Sequence, residues 1–346
     1  MDAVLLIATV VKVAAIVLAM VSLVPILTWV ERRGSGIIQL RLGPNRVGPF
    51  GLFQPLADGI KFFFKEDIVP PFVHRPTYVL APGISLFAAI LALAVLPLAS
   101  AFEVAGRTIP AAIVDVDAGV LLLLAASGLG VYGILVAGWS SNNKYSLMGG
   151  LRSSSQMISY ELGLSLAVIS VLVLCGTLRP AEIVEKQAAG LWNVVFLPVG
   201  FLVMLIAGFA ETNRLPFDLP EAESELVGGY HTEYSSMKFS MFFMAEYVNM
   251  IVSASLLVTL FLGGYSVPAF IRGPLGLEGN LLAAAELLSF ALKVGFFLWF
   301  FVWVRWTLPR FRFDQLMGIG WKVLVPLGFL NIVWAAFLVA VLGVTP

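Results

Sequence analysis

The chain has 346 residues, of which 60% are hydrophobic and 12% charged, with a mean hydropathy of +0.96; an ordinary soluble chain carries about 25% charged residues. Its 21 basic and 21 acidic residues cancel, which leaves no global basic field to attract nucleic acid. One cysteine, Cys175, excludes a disulfide framework and a four-cysteine cluster site, and two distant histidines, His74 and His231, argue against a two-histidine haem or zinc site.

Apolar runs of about twenty residues are long enough to cross hydrocarbon. Eight such runs are predicted, over 4–30, 78–100, 118–138, 156–176, 191–212, 240–262, 284–307 and 321–344. The expected fold is an all-α polytopic protein, a single membrane domain over 1–346. The first run is too long for the apolar core of a signal peptide and no small-residue cleavage site follows it, so it is read as a first transmembrane helix with Lys12 snorkelling near one end.

A structured loop over 31–77 follows. It opens Glu31-Arg32-Arg33-Gly34-Ser35-Gly36 and continues through Arg41-Leu42-Gly43-Pro44-Asn45-Arg46-Val47-Gly48-Pro49, where Gly and Pro set a series of turns. Further on, Gln54, Asp58, Lys61 and Lys65 share one side at helical spacing, with Leu56, Ile60, Phe63 and Phe64 on the other. That pattern predicts an amphipathic helix at the membrane–water boundary. Pro82 and Pro97 are expected to kink the second span.

The third span contains Gly128-Leu129-Gly130-Val131-Tyr132-Gly133, which matches the dinucleotide fingerprint letter for letter. That fingerprint needs a preceding strand in a soluble βαβ unit; inside an apolar span the small residues are read as sites of close helix packing. Ser141-Asn142-Asn143-Lys144 lacks the motifs that accompany a catalytic Ser-x-x-Lys and is read as a polar loop.

Acidic residues punctuate the later spans. Glu161 lies about one and a half turns into the fourth, Glu211 ends the fifth, and Glu246 lies about two turns into the sixth. Asp218, Glu221, Glu223, Glu225 and Glu233 crowd the loop over 213–239, where Glu221, Glu223 and Glu225 would share one face of an extended stretch. Charge in hydrocarbon costs roughly 2.5–3.5 kcal/mol per residue, so carboxylates retained there point to a proton or ion path, and burial with mutual repulsion brings their titration toward neutrality. Lys293 in the seventh span is expected to be a buried counter-charge, and Glu286 to be interfacial. The acidic loop lacks the spacing of a calcium site.

The odd-numbered loops hold thirteen Lys and Arg residues and the even-numbered loops four. The odd loops are therefore expected in the cytoplasm and both termini on the periplasmic side.

Three runs, Glu31–Asp67, Glu211–Tyr247 and Arg305-Trp306-Thr307-Leu308-Pro309-Arg310-Phe311-Arg312-Phe313-Asp314-Gln315-Leu316-Met317, closely resemble the H-type membrane subunit of proton-pumping NADH:quinone oxidoreductase, respiratory complex I. The likeness extends end to end, includes Ser159-Tyr160-Glu161, and looks like the bacterial form, which implies a multi-pass protein of the inner membrane. The resemblance implies a subunit that forms most of the quinone chamber at the junction with the peripheral arm and couples quinone reduction to proton translocation. Ubiquinone would be the bound substrate. FMN and iron–sulfur clusters would reside in partner subunits, so the isolated chain would catalyse nothing. Peripheral-arm and antiporter-like membrane subunits are the implied partners, together with the lipid bilayer.

Carried onto these positions, the resemblance places Arg32, Arg41, Arg46, Asp58, Phe217 and Asp218 at the chamber and junction. It places Glu161, Glu211, Glu221, Glu223, Glu225 and Glu246 on the proton path, with Arg152, Arg214, Lys293, Arg305 and Arg310 balancing charge. Two other readings compete. A free-standing ion carrier would show inverted repeats and matched broken helices, and none is visible in the sequence. A structural anchor of a hydrogenase-type complex would need neither the acidic loop nor the third run. Co-purification separates the three: a flavin and iron–sulfur partner, a solitary chain, or a nickel enzyme.

Overall fold

The computed structural model describes residues 3–104, 107–219, 223–268, 272 and 278–343. Among them, seven helices are long and apolar enough to cross a membrane. The first is α1 (Ala3–Ile38); α2 (Gln54–Phe64) is the short amphipathic helix that the 54–65 pattern predicts. α3 (Arg75–Ala94), α4 (Gly119–Ser140) and α5 (Lys144–Cys175) come next, followed by the shorter α6 (Pro180–Ala189).

The fifth predicted span forms two pieces, α7 (Asn193–Phe196) and the fourteen-residue α8 (Pro198–Glu211). Leu197 leaves helical geometry at φ −126°, ψ 56° before Pro198, because a proline offers no N–H to continue the ladder and disfavours helix at the residue before it. Asn331 supports the restart of the helix: its carbonyl accepts from the Gly200 N–H at 3.2 Å and its amide donates to Ser170 Oγ at 2.6 Å.

A helical turn, α9 (Glu223–Leu226), lies in the acidic loop, and α10 (Ser236–Phe261) and α11 (Gly279–Thr307) are long spans. α12 (Phe313–Ile319) runs through a π-turn at Gly320–Leu324 into α13 (Val325–Leu342) to make the last span. The second loop adds an antiparallel hairpin, β1 (Ala101–Val104) with β2 (Arg107–Pro110), a small exception to the all-α expectation.

The structure moves several boundaries. α1 continues to Ile38, so Glu31–Gly36 belongs to a helix and not to the loop. α3 ends at Ala94, which leaves Pro97 outside it and Pro82 inside. The Lys12 ammonium donates to the carbonyls of Pro110 and Ala112, each at 3.1 Å, and ties α1 to the hairpin.

α3, α4 and α5 pack in sequence, with α5 also against α8 and α13, and α10 against α3 and α11. Small residues permit this closeness. A methyl group built on Gly133 would meet Ser85 Oγ of α3 at 2.1 Å, and one on Gly138 would meet Ser146 O of α5 at 2.6 Å. The glycine-rich run of the third span is thus a helix-packing surface. Asn143 caps α5 by accepting from the Tyr145 N–H at 3.0 Å, which is the role of the polar Ser141–Lys144 loop.

Candidate functional site

α1, α2 and α10 enclose an apolar cavity of about 460 Å³, within the size range of small-molecule sites. Pro25 and Thr28 of α1, Leu56 and Phe63 of α2, and Phe243 and Met244 of α10 contribute to its wall. α2 supplies an apolar face because its hydrophobic residues recur at helical spacing, and in the isolated chain that face is open, with Phe63 72% exposed.

Arg32 and Asp58 bring charge to the same wall. Their side chains meet at 2.5 Å, with Lys61 3.5 Å from the other Asp58 oxygen and Gln54 donating to that oxygen at 3.4 Å. Burial works to raise the Asp58 carboxyl, but the Arg32 hydrogen bond and charge, helped by Lys61 and Gln54, hold it below the usual aspartate range. Asp58 is therefore an anion at neutral pH.

Successive residues of a helix point about 100° apart. Glu31, one position before Arg32, consequently turns inward and is 6% exposed. Its carboxylate accepts from Arg305, from Arg214 Nη1 at 3.3 Å and from the Tyr247 hydroxyl at 2.6 Å. Arg214 also holds Glu246, with Nε 2.7 Å from Oε1, and its guanidinium lies 4.3 Å from the Tyr247 ring centre. Two carboxylates and two guanidiniums thus form one buried cluster of balanced charge. That balance is what makes burial tolerable, since an unpaired ion would cost several kcal/mol.

Beyond this cluster, Glu246 and Glu211 both line an internal cavity of about 20 Å³, together with Asn213 and Tyr230. A space of roughly 10–15 Å³ suffices for one water. Glu161 approaches from α5 across the glycine surface of α4: a methyl group on Gly128 would lie 2.9 Å from its Oε1. Glu211 lines a small cavity with Ser127, the residue before Gly128, so both carboxylates approach the same turn of α4. The three carboxylates spread over separate spans are therefore neighbours in space.

The remaining predicted residues fall in several places. Arg310 donates to Asp218 at 3.0 Å, and Arg152 to the exposed Glu225 at 2.6 Å. Arg41 is exposed and donates to Gln39 at 2.6 Å, and Arg46 is exposed; neither lines the 460 Å³ cavity. Phe217 is buried between Tyr160 and Phe311, with ring centres 5.5 Å away on each side, and so packs the core below the acidic loop instead of facing that cavity. Glu221 lies outside the described residues. Glu223 and Glu225 sit on the helical turn α9, not on an extended strand, so they do not share a face.

One charge behaves differently from expectation. Among the described residues Lys293 pairs with no carboxylate; its ammonium donates to the carbonyls of Leu262, Gly264 and Ser266 at 2.9–3.0 Å and stacks over Trp192 at 5.0 Å, closing the turn after α10. Glu286 is buried within the chain and accepts from the Ser100 N–H at 2.9 Å.

Sequence reading missed Glu31 and Tyr247 as members of the charged cluster. The available signal was the length of the first apolar run: at 1.5 Å per residue, 4–30 already exceeds the bilayer, so its acidic end was free to lie inside the protein.

A family model described as NADH dehydrogenase matches residues 11–336. The chain is 47% identical over 328 residues to an H-type NADH-quinone oxidoreductase subunit of Cytophaga hutchinsonii, covering 95% of this chain and 94% of that protein. It is 50% identical over 333 residues to NADH-quinone oxidoreductase subunit 8 of Rhodothermus marinus, covering 94% and 95%. To the H-type NADH-quinone oxidoreductase subunit of Leptospira biflexa it is 49% identical over 346 residues, covering 97% and 96%. Matched over nearly its whole length, the chain belongs to the NADH dehydrogenase family, that of the H-type membrane subunits of NADH-quinone oxidoreductase, respiratory complex I.

Proposed function

We propose that this chain holds the quinone in the cavity between α1, α2 and α10 and passes the consequence of its reduction to buried carboxylates. The observation that carries the reading is the junction at Glu31-Arg32. Arg32 belongs to the cavity wall and is joined to Asp58, while Glu31 is joined to Arg214 and through it to Glu246. One rigid helix end therefore links an oily cavity to a charged cluster.

The chemistry fits each part. A quinone carries a long apolar tail, which suits the side chains of Leu56, Phe63, Phe243 and Met244. Its ring gains two electrons and two protons on reduction, and the Arg32–Asp58 pair supplies fixed charge beside it. Electrons come from redox groups of partner subunits, FMN and iron–sulfur clusters; this chain offers binding, orientation and proton-accepting groups. Negative charge developing at the ring pulls on the Arg32 guanidinium, shifts the end of α1 and rebalances the Glu31–Arg214–Glu246 cluster. Glu211 and Glu161 continue the path laterally toward antiporter-like membrane subunits. Coupling of this kind is a linkage between two sites, each altering the other's equilibrium.

Orientation follows the same reading: the basic loops that carry α2 and the acidic segment face the cytoplasm, where the peripheral arm docks, and both termini face the periplasm of the bacterial inner membrane.

A photoreactive quinone tests the cavity assignment in the assembled complex. Labelling of Phe243 or Met244, suppressed by excess quinone, is the expected result. Labelling confined to other subunits, or to lipid-facing helices, would contradict it.

A further inference from the structure

Glu246 and Glu211 share a cavity, yet no direct hydrogen bond between them occurs among the described residues, so a proton needs an intermediary. Asn249 lies three residues after Glu246 on α10, about one turn further along the same face. It lines the 20 Å³ cavity with both glutamates, and it also lines a second cavity of about 10 Å³ with Glu211, Ser127 and Ser253. It is the residue besides Glu211 that the two spaces share. Asn249 is half-buried, and among the described residues its side chain makes no hydrogen bond, whereas those of the buried Gln156, Asn193 and Asn331 are each tied to a neighbouring segment.

We propose that Asn249 is a positioning residue that orients one water between Glu246 and Glu211 and so completes the proton path. An amide suits this task because it donates and accepts but does not itself titrate. The first cavity has room for one water, which needs two to four polar partners; Glu246, Glu211, Asn213 and Asn249 supply them. The water receives a proton from one carboxyl while passing another to the next, so the number of protons and charges in the cavity is conserved. Without the amide the water loses a partner at the turn of the path, and the smaller cavity beside Ser127 competes for it. The inference deepens the proposed coupling and rests on it.

The experiment uses the assembled complex in native membranes with four variants: Asn249→Leu, Asn249→Val, Asn249→Ser and Glu211→Gln. NADH oxidation by ferricyanide reports assembly and the electron path; quinone-linked turnover and proton uptake report coupling. Asn249→Leu is expected to lower quinone-linked kcat about tenfold, the effect of one lost hydrogen bond in a buried path, with quinone KM and the ferricyanide rate unchanged. Asn249→Ser, which keeps a hydroxyl and leaves room for water, is expected to recover most of the loss. If Leu at this position prevents assembly, Asn249→Val, smaller and equally non-polar, is read in its place. Wild-type turnover in the apolar variant, or equal loss in Asn249→Ser, would overturn the role of the amide. Wild-type turnover in Glu211→Gln would instead overturn the coupling path itself.

Discussion

The Arg214 guanidinium stands 2.7 Å from the Glu246 carboxylate and 3.3 Å from that of Glu31, and so joins α10 to the end of α1 through a loop residue that is 4% exposed. Arg214→Leu would leave Glu246 without its paired cation and Glu31 with only Arg305 and Tyr247. Breaking a buried pair by removing one partner costs about 3–5 kcal/mol, and the assembled complex carrying this variant is expected to unfold at a lower temperature. Arg214→Lys is expected to recover only part of the loss, because one ammonium cannot meet both acids with the geometry of a planar fork. Thermal melting of the purified complex, with lipid held constant, checks both.

The glycine surface of α4 offers a paired test. Gly133→Ala places a methyl group 2.1 Å from Ser85 Oγ and 2.8 Å from the Ser85 nitrogen, so α3 and α4 must separate; such overpacking costs about 1–3 kcal/mol. Gly130→Ala meets nothing within 4 Å and is expected to be neutral. Equal stability of the two variants would show that close approach at Gly133 does not hold these helices together.

A cavity wall makes a prediction of its own at Gly59, which lies on the wall and where an added methyl group meets nothing within 4 Å. Gly59→Phe starts a bulky ring from a Cβ position that no neighbouring atom obstructs. It is expected to raise quinone KM on the order of tenfold, the scale of one lost favourable contact of about 1.4 kcal/mol, with the ferricyanide rate retained. An unaltered KM would place the quinone elsewhere.

His231 supplies a pH dependence. Burial lowers its imidazole from an ordinary 6.5 to about 4, so it is neutral in the folded chain across the physiological range. The unfolded state binds a proton that the folded state refuses between those two values. Stability from this residue is therefore fully present above pH 6.5 and falls as pH drops toward 4. His231→Phe removes that acid limb. Melting temperature against pH, in the variant and the parent complex, is the measurement; identical acid limbs would contradict the buried neutral imidazole.

Much of this architecture was legible in the chain. Apolar runs set the spans because hydrocarbon leaves the backbone no partner but itself, and the 3.6-residue repeat over 54–65 marked α2. What stayed hidden depends on distant partners. Glu31 reads only as the first residue of a loop until Arg214, Arg305 and Tyr247 are folded around it. Alternating Glu221, Glu223 and Glu225 suggest a strand because period two is a local signal, whereas α9 forms in its tertiary setting. Lys293 pairs with carbonyls since the turn after α10 presents three of them together, which no spacing rule anticipates. The interruption at Pro198 was written in the sequence, but the surrounding apolar residues concealed it inside one continuous run.

Glu246→Gln is the most direct test of coupling, for it removes the charge at the point where the Arg214 cluster meets the cavity shared with Glu211. In the assembled complex, quinone-linked turnover and proton translocation are expected to fall together by about a hundredfold, the lower end of the effects seen when a proton-transferring group is lost, while the ferricyanide rate holds. Parent-level turnover and translocation in this variant would contradict the account.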